Sequence, residues 1–178
     1  MKITKKIKAK LANRSFASKT KYLRNNGCTI GENTRLLCYV SDLGSEPYMI
    51  KIGNDCLISH NVSFFTHDGG VKVLNSMNYF DGKSMDKIGF ITIGNNCFIG
   101  NGSKIMPGVT IGDNVIVGAG AIITKDVPSN CVVAGVPAKV ICSIDEYYQK
   151  NIDLFIPTGN MSREEKKEYI LNRCNNDS

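Results

Sequence analysis

A chain of 178 residues with 42 % hydrophobic composition is long enough to bury one core, so we expect one folded domain with short appendages. No apolar run reaches the length of about 18 residues that a membrane span needs, and the amino terminus lacks the apolar centre of a secretory signal. We therefore expect a cytoplasmic protein. The seven cysteines show no zinc-type spacing, which predicts reduced, mostly buried thiols and no metal site.

Positive charge is concentrated in the first 27 residues, which form a basic, partly helical arm. Residues 1–27 carry nine Lys and Arg and no acid, whereas the rest of the chain has 13 basic and 16 acidic residues. Such an arm suits weak contact with an anionic membrane surface. We favour a solvated leader that packs its apolar residues on the body, and we expect no nucleic-acid partner. Those apolar residues are Ile3, Ile7, Leu11, Phe16, Tyr22 and Leu23.

A six-residue pattern begins at Ile30 and restarts at Ile52 and Ile93, with insertions at residues 42–51 and 69–92. The longest block reads IGNNCF, IGNGSK, IMPGVT, IGDNVI, VGAGAI, ITKDVP. Its first position is always aliphatic, and its fifth is always small or β-branched.

A period of six fits neither the 3.6-residue helical period nor the two-residue strand period. It suits a short extended segment followed by a corner, where Gly, Asn and Asp tolerate left-handed backbone angles. The pattern predicts stacked coils of parallel strands about 4.8 Å apart, with the first-position aliphatic residues as the core.

After Cys142 the pattern stops. The segments SIDEYYQK and SREEKKEYILNRC each predict a short helix, and Ser162 with Glu165 has the spacing of a capping box. We therefore divide the chain into an arm (residues 1–27), a coil domain (28–142) with one excursion loop (69–92), and a helical tail (143–178).

The hexapeptides and the closing segment AGVPAKVI resemble those of the hexapeptide-repeat acyltransferases over about residues 22–142. The similarity is strongest to the galactoside, maltose and surface-polysaccharide O-acetyltransferases. It implies an all-β fold, a left-handed parallel β-helix with short flanking helices at both ends. It also implies a homotrimer with active sites between subunits, and acetyl-CoA as co-substrate without a metal. The excursion loop would then close over a neighbouring subunit's cleft and shape the acceptor pocket, or simply pack on the trimer.

Matching IGNDCLISHNVSFFTHDGG to the family pattern places His67 at the position of the family's histidine base. Histidine suits this role because its ordinary pKa of about 6.5 leaves it largely neutral at physiological pH. The family implies direct acetyl transfer, with backbone N–H groups stabilising the oxyanion. Asn61, Asp68 and His60 are the candidate acceptor contacts. Their alternative roles are a corner asparagine, a solvated carboxylate and a structural histidine.

The resemblance lays the acetyl-CoA arm along a coil edge. The candidate cofactor contacts are Phe98, Gly100, Asn101, Gly118, Ala119, Thr124, Lys125 and Lys139, with Lys125 and Lys139 near the phosphates.

The sequence therefore predicts an O-acetyltransferase that acts on a sugar hydroxyl in surface-polysaccharide biosynthesis. The long amino-terminal helical module of the maltose and galactoside enzymes is not matched, which favours a saccharide-assembly acceptor. Three alternatives stay open: N-acetylation of a nucleotide amino sugar, O-acetylation of an antibiotic, and a non-catalytic scaffold. A zinc carbonic anhydrase of this architecture needs three histidines, whereas this chain has two.

Overall fold

The computed structural model describes residues 5–176. The chain divides between Tyr147 and Tyr148 into two compact units. The first contains a stack of coils whose strands form three parallel sheets, and the chain visits the sheets in turn. Apart from the antiparallel final strand, the strands of successive coils pair in parallel, as a β-helix requires.

Sheet A contains β1 (Thr29–Ile30), β3 (Ile50–Ile52), β6 (Ile91–Ile93) and β9 (Thr110–Ile111). Sheet B contains β2 (Arg35–Leu36), β4 (Leu57–Ile58), β7 (Phe98–Ile99), β10 (Ile116–Val117), β12 (Cys131–Ala134) and the antiparallel β13 (Lys139–Ser143). Sheet C contains β5 (Ser63–Phe64), β8 (Lys104–Ile105) and β11 (Ile122–Ile123).

The first-position aliphatic residues form the core, as the six-residue pattern predicts. Ile93, Ile99 and Ile105 are at most 1 % exposed, and the fifth-position residues of the same block are also buried. Burying each such side chain contributes about 1.5–3 kcal/mol. The column of aliphatic residues therefore holds the coils together.

The corner between sheets A and B carries an asparagine ladder. Asn96, Asn114 and Asn130 all have positive φ, and their side-chain amides hydrogen-bond in series at 2.8 Å. Asparagine tolerates this backbone conformation at little cost, which confirms the predicted use of Asn at the corners.

Two insertions leave the coil at the same corner, between sheets C and A. The first insertion (residues 40–49) replaces the sheet C strand of the first coil with two 3-10 helices, Val40–Leu43 and Pro47–Met49, and rejoins at β3. The excursion loop (residues 68–87) follows β5, contains α3 (Val71–Ser76) and rejoins before β6. Both insertions predicted from the breaks in the six-residue pattern are therefore present, and only their bounds differ by a few residues.

The arm forms two helices, α1 (Lys5–Ala12) and α2 (Phe16–Asn25). Leu23 is buried, but Ile7, Leu11 and Phe16 are 39–48 % exposed, so the predicted packing of the arm is wrong for these three. For Ile7 and Leu11 the reason is the orientation of α1, which turns its alanines Ala9 and Ala12 towards the core. Ile3 lies outside the described residues.

The carboxyl-terminal segments are helical, as predicted. They form α4 (Ile144–Asn151), a 3-10 turn (Ile152–Leu154) and α5 (Arg163–Asn176). The backbone N–H of Ser162 donates to Glu165 Oε2 at 2.7 Å, and the Glu165 N–H donates to Ser162 Oγ at 3.2 Å. These two bonds form the predicted capping box. Among the described helices, none is both long and apolar enough to cross a bilayer.

Candidate active site

The ring of His67 contacts a carboxylate. Its Nε2 lies 2.6 Å from Oε2 of Glu46, which belongs to the first insertion. The carboxylate oxygen can only accept, so this contact assigns the ring hydrogen to Nε2 and leaves Nδ1 as the nitrogen that can accept a proton. The His67 side chain is 42 % exposed and that of Glu46 is 20 % exposed. The pair is therefore open to a substrate while its carboxylate is largely covered.

Two hydroxyl groups also donate to Glu46. Ser45 Oγ lies 2.8 Å from Glu46 Oε2, and Oγ1 of the buried Thr66 lies 3.4 Å from the same oxygen. The hydrogen bond from Ser45, followed by that from His67, lowers the pKa of Glu46 below its usual range. Glu46 is therefore a carboxylate at neutral pH, and it can stabilise a positive charge on the imidazole.

Backbone packing brings the two insertions together. Gly44 has a φ of +73°, and a Cβ there would stand 3.6 Å from the Phe64 carbonyl oxygen, so this residue of the first insertion lies against the second coil. The backbone of His67 also forms an isolated antiparallel bridge with Ile88. His67 thus lies at the neck of the excursion loop, with Glu46 beside it.

Asp68 connects the two ends of the excursion loop. Its N–H donates to the Lys87 carbonyl at 2.8 Å, and its carboxylate accepts from Lys87 Nζ at 2.7 Å and from the Gly70 N–H at 2.9 Å. These donors, Lys87 first, lower the pKa of Asp68. The contacts favour a structural role, and the acceptor contact expected for Asp68 stays a prediction.

Six of the predicted site residues share the corner between sheets B and C, called the BC corner below. The Gly102 N–H donates to the His60 carbonyl, and the Gly120 N–H to the Asn101 carbonyl, so successive turns stack in register. A Cβ on Gly100 would lie 2.6 Å from the backbone nitrogen of Ala119. The column therefore brings adjacent turns close together at this glycine. It comprises His60, Asn61, Gly100, Asn101, Gly118 and Ala119.

Asn61 has a φ of +57°, in the same turn position as Gly102 at +72°. This angle gives Asn61 a structural role as a corner asparagine. The acceptor contact expected for Asn61 stays a prediction.

The other predicted cofactor residues lie elsewhere. Phe98 stands on the outer face of sheet B, 39 % exposed, and Lys139 begins β13 in the same sheet. Thr124 and Lys125 follow β11 and so lie at the corner between sheets C and A, which is also the corner of His67. The candidate residues therefore occupy both edges of sheet C, apart from Phe98 and Lys139 in sheet B.

Comparison with known proteins identifies the architecture. Residues 90–125 match the family model described as bacterial transferase hexapeptide (six repeats). A solved structure of a galactoside acetyltransferase in complex with coenzyme A is 31 % identical in sequence to this chain. The alignment covers 81 % of this chain and 80 % of the galactoside acetyltransferase chain, with a TM-score of 0.62. This chain belongs to the hexapeptide-repeat acyltransferases. Membership makes it an acyltransferase, which confirms the predicted enzyme class.

Two relatives extend the comparison. Protein CapG of Staphylococcus aureus is 44 % identical over 170 residues, which is 95 % of each chain. The polysialic acid O-acetyltransferase of Escherichia coli O1:K1 is 46 % identical over 95 residues, 52 % of this chain and 29 % of that enzyme. This second hexapeptide-repeat acyltransferase is longer, and the similarity covers only part of it.

Sequence reasoning missed Glu46 and Ser45. A signal was present, because both insertions end at the same motif, Ile-x-Ile-Gly, at residues 50–53 and 91–94. Equivalent motifs mark equivalent strands, so the two insertions had to leave at one corner and meet there.

The buried thiols of Cys28 and Cys38 do not compete with His67 for the chemistry. Five of the seven cysteines are buried. Burial raises the pKa of Cys28 and of Cys38 to about 12, so these thiols stay protonated at neutral pH.

Proposed function

We propose that this protein transfers an acetyl group from acetyl-CoA to a sugar hydroxyl, with His67 as general base, in the assembly of a surface polysaccharide. The observation that carries the proposal is the contact between the carboxylate of Glu46 and Nε2 of His67. It orients the imidazole with a basic nitrogen available, which is what hydroxyl activation needs. The relatives that act on a galactoside and on polysialic acid support a saccharide acceptor.

In the proposed reaction, Nδ1 of His67 accepts the hydroxyl proton as the acceptor oxygen attacks the thioester carbonyl. The ionised Glu46 stabilises the resulting imidazolium. The imidazolium then returns its proton to the departing CoA sulfur, so the products are the acetyl ester and free thiol. No covalent acyl-enzyme forms.

The co-substrate would lie along the BC corner. Gly118 and Ala119 present backbone with little or no side chain there, and an extended pantetheine arm needs such an unobstructed edge. The coenzyme A complex of the related galactoside enzyme supports acetyl-CoA as the co-substrate. Lys125 and Lys139, both exposed, would supply positive charge for its phosphates.

A homotrimer accounts for the distribution of these residues. His67 and Lys125 lie at one edge of sheet C, and the BC corner lies at the other. In a ring of three chains, one edge of each chain can face the opposite edge of its neighbour, and one cleft then contains both sets. The proposal accordingly includes a left-handed coil, three shared active sites, a cytoplasmic location and the division into arm, coil domain and tail.

The test is His67→Ala. Removing the base is expected to lower kcat at least 100-fold, because general base catalysis contributes roughly 10²–10⁴-fold. Release of CoA thiol, followed with acetyl-CoA and a panel of sugars, gives the rate. The variant should keep the oligomeric state and the acetyl-CoA affinity of the wild type. Wild-type turnover by His67→Ala would refute the mechanism.

A further inference from the structure

A cavity of about 560 Å³ opens at the amino-terminal end of the BC corner. Its lining includes Arg14 and Phe16 from the arm, Leu37 and Tyr39 from the first coil, and His60 from the second. Ligand pockets commonly measure roughly 300–1,000 Å³. Because His60 is also the first residue of the BC corner column, the cavity continues the edge along which the acetyl-CoA arm is proposed to lie.

The cavity carries positive charge without a compensating acid. Arg14 is exposed, and no carboxylate is among the described residues of the lining. The helix α2 begins here with Ser15 as its N-cap and no acid in its first turn, so the positive end of the helix dipole adds to the charge. Asp42 is the neighbouring acid. Its carboxylate accepts from the Tyr39 N–H and does not line the cavity.

Lys19 forms part of the cavity wall, but its ammonium group is already used. It is 5 % exposed, and its Nζ donates to the carbonyl oxygens of Leu36 and Cys38. Arg14, in contrast, has no side-chain hydrogen bond or ion pair to any residue in the described part of the chain. Its guanidinium is therefore the group available to a ligand.

Two aromatic rings provide apolar surface beside this charge. Tyr39 is 57 % exposed and Phe16 is 46 % exposed, although both line the cavity. The guanidinium of Arg35 lies over the Phe16 ring at 5.4 Å from its centroid, in a cation–π contact. An exposed ring of this kind can pack against the C–H face of a sugar.

We propose that this cavity binds the acceptor through an acidic sugar, a saccharide residue that carries a carboxylate or a phosphate. Arg14 pairs with the anion, the aromatic rings pack on the sugar face, and His60 contacts a hydroxyl. The inference rests on the proposed function, because it assigns the acceptor class of that active site. It adds that neutral sugars are poor acceptors, since they leave the arginine unpaired.

The test measures sugar binding and acetyl transfer separately. Calorimetry with the full chain compares glucuronic acid, glucose 1-phosphate and glucose, and the two acidic sugars distinguish a carboxylate from a phosphate. Wild-type protein should bind at least one acidic sugar more tightly than glucose. Arg14→Gln should weaken that binding about 10- to 100-fold, as expected for the loss of a hydrogen-bonded ion pair, and should leave glucose binding unchanged.

Lys8→Gln is the matched control, because Lys8 is an exposed cation on the same arm that does not line the cavity. It should bind all three sugars as the wild type does. Equal binding of glucose and the acidic sugars, no binding of any sugar, or an equal loss in Lys8→Gln would overturn the inference. Release of CoA thiol in the same samples tests the proposed acetyl transfer itself. Transfer to neutral sugars alone overturns the acidic acceptor and keeps the acetyltransferase, whereas tight binding of acidic sugars without transfer to any acceptor refutes the proposed function.

Discussion

Glu46 makes the most consequential side-chain contacts of the candidate site. It accepts from Ser45 and Thr66 and contacts Nε2 of His67. A carboxylate in this position does two things for a base: it fixes the ring, and it offsets the charge that the ring acquires. Glutamine at position 46 would keep most of the shape and remove the charge.

Glu46→Gln is therefore expected to lower kcat by about 10- to 100-fold, less than His67→Ala, while the KM for acetyl-CoA stays unchanged. Steady-state kinetics on the two variants measures the difference. Glu32→Gln is the control, since Glu32 is an exposed glutamate whose ion-pair partner is Arg24. Unchanged kcat in Glu46→Gln would remove Glu46 from the mechanism.

The same variant has a pH signature. The pKa of Glu46 is lowered in the folded chain, so its contribution to stability is present above the unfolded pKa, about 4.3, and is lost as pH falls through the folded value. Glu46→Gln should have a lower Tm than the wild type at pH 7, and the difference should vanish below the folded pKa. Thermal melts across this range measure it.

At the scale of the element, the coil depends on glycine where one turn lies against the next. A Cβ at Gly100 would come 2.6 Å from both the Ala119 nitrogen and the Val117 oxygen. Neither atom can move without breaking the ladder between β7 and β10, because both belong to the backbone. A Cβ at Gly69, in the excursion loop, would have no other atom within 4 Å.

Gly100→Ala should consequently destabilise the protein by about 1–3 kcal/mol, the usual cost of overpacking. Gly69→Ala should change the free energy of unfolding by less than about 0.5 kcal/mol, as a substitution in open space does. Denaturant unfolding of both variants provides the comparison. Equal stabilities would show that these two turns of the BC corner have room for a side chain between them.

At the scale of the whole molecule, the proposed active site needs more than one chain. His67 and the BC corner lie at opposite edges of sheet C. The proposal therefore has one chain supply the base and its neighbour supply the co-substrate edge. Sedimentation should accordingly give a particle of three times the 19.5 kDa chain mass. A shared site also makes a stricter prediction about mixed assemblies.

Two inactive variants should complement each other. His67→Ala lacks the base, and Ala119→Trp places a large side chain on the exposed co-substrate edge. Trimers reassembled from an equal mixture contain sites with both halves intact, at a statistical frequency of about one quarter, so about a quarter of wild-type activity should return. Each variant alone, reassembled in the same way, is the control. A mixture that stays inactive would place the whole site within one chain.

The sequence alone determined the coil. Its features are the period of six, the aliphatic first position, and the Gly and Asn at the corners. They reflect contacts between residues that are 18 positions apart, one coil later. Such a repeat can be recognised in a single sequence. It also placed His67 at the edge of an insertion, through its resemblance to a known family. The helices of the tail followed from local signals such as the capping box.

The tertiary structure decided what surrounds His67. Glu46 reaches the ring from another insertion, 21 residues earlier, and Arg14, Tyr39 and His60 meet around one cavity although they belong to the arm and to two different coils. Insertions and arms break the repeat, so no period predicts where they fold back. Their positions depend on individual side-chain and backbone contacts across the stack, and these contacts exist only once the coils have formed.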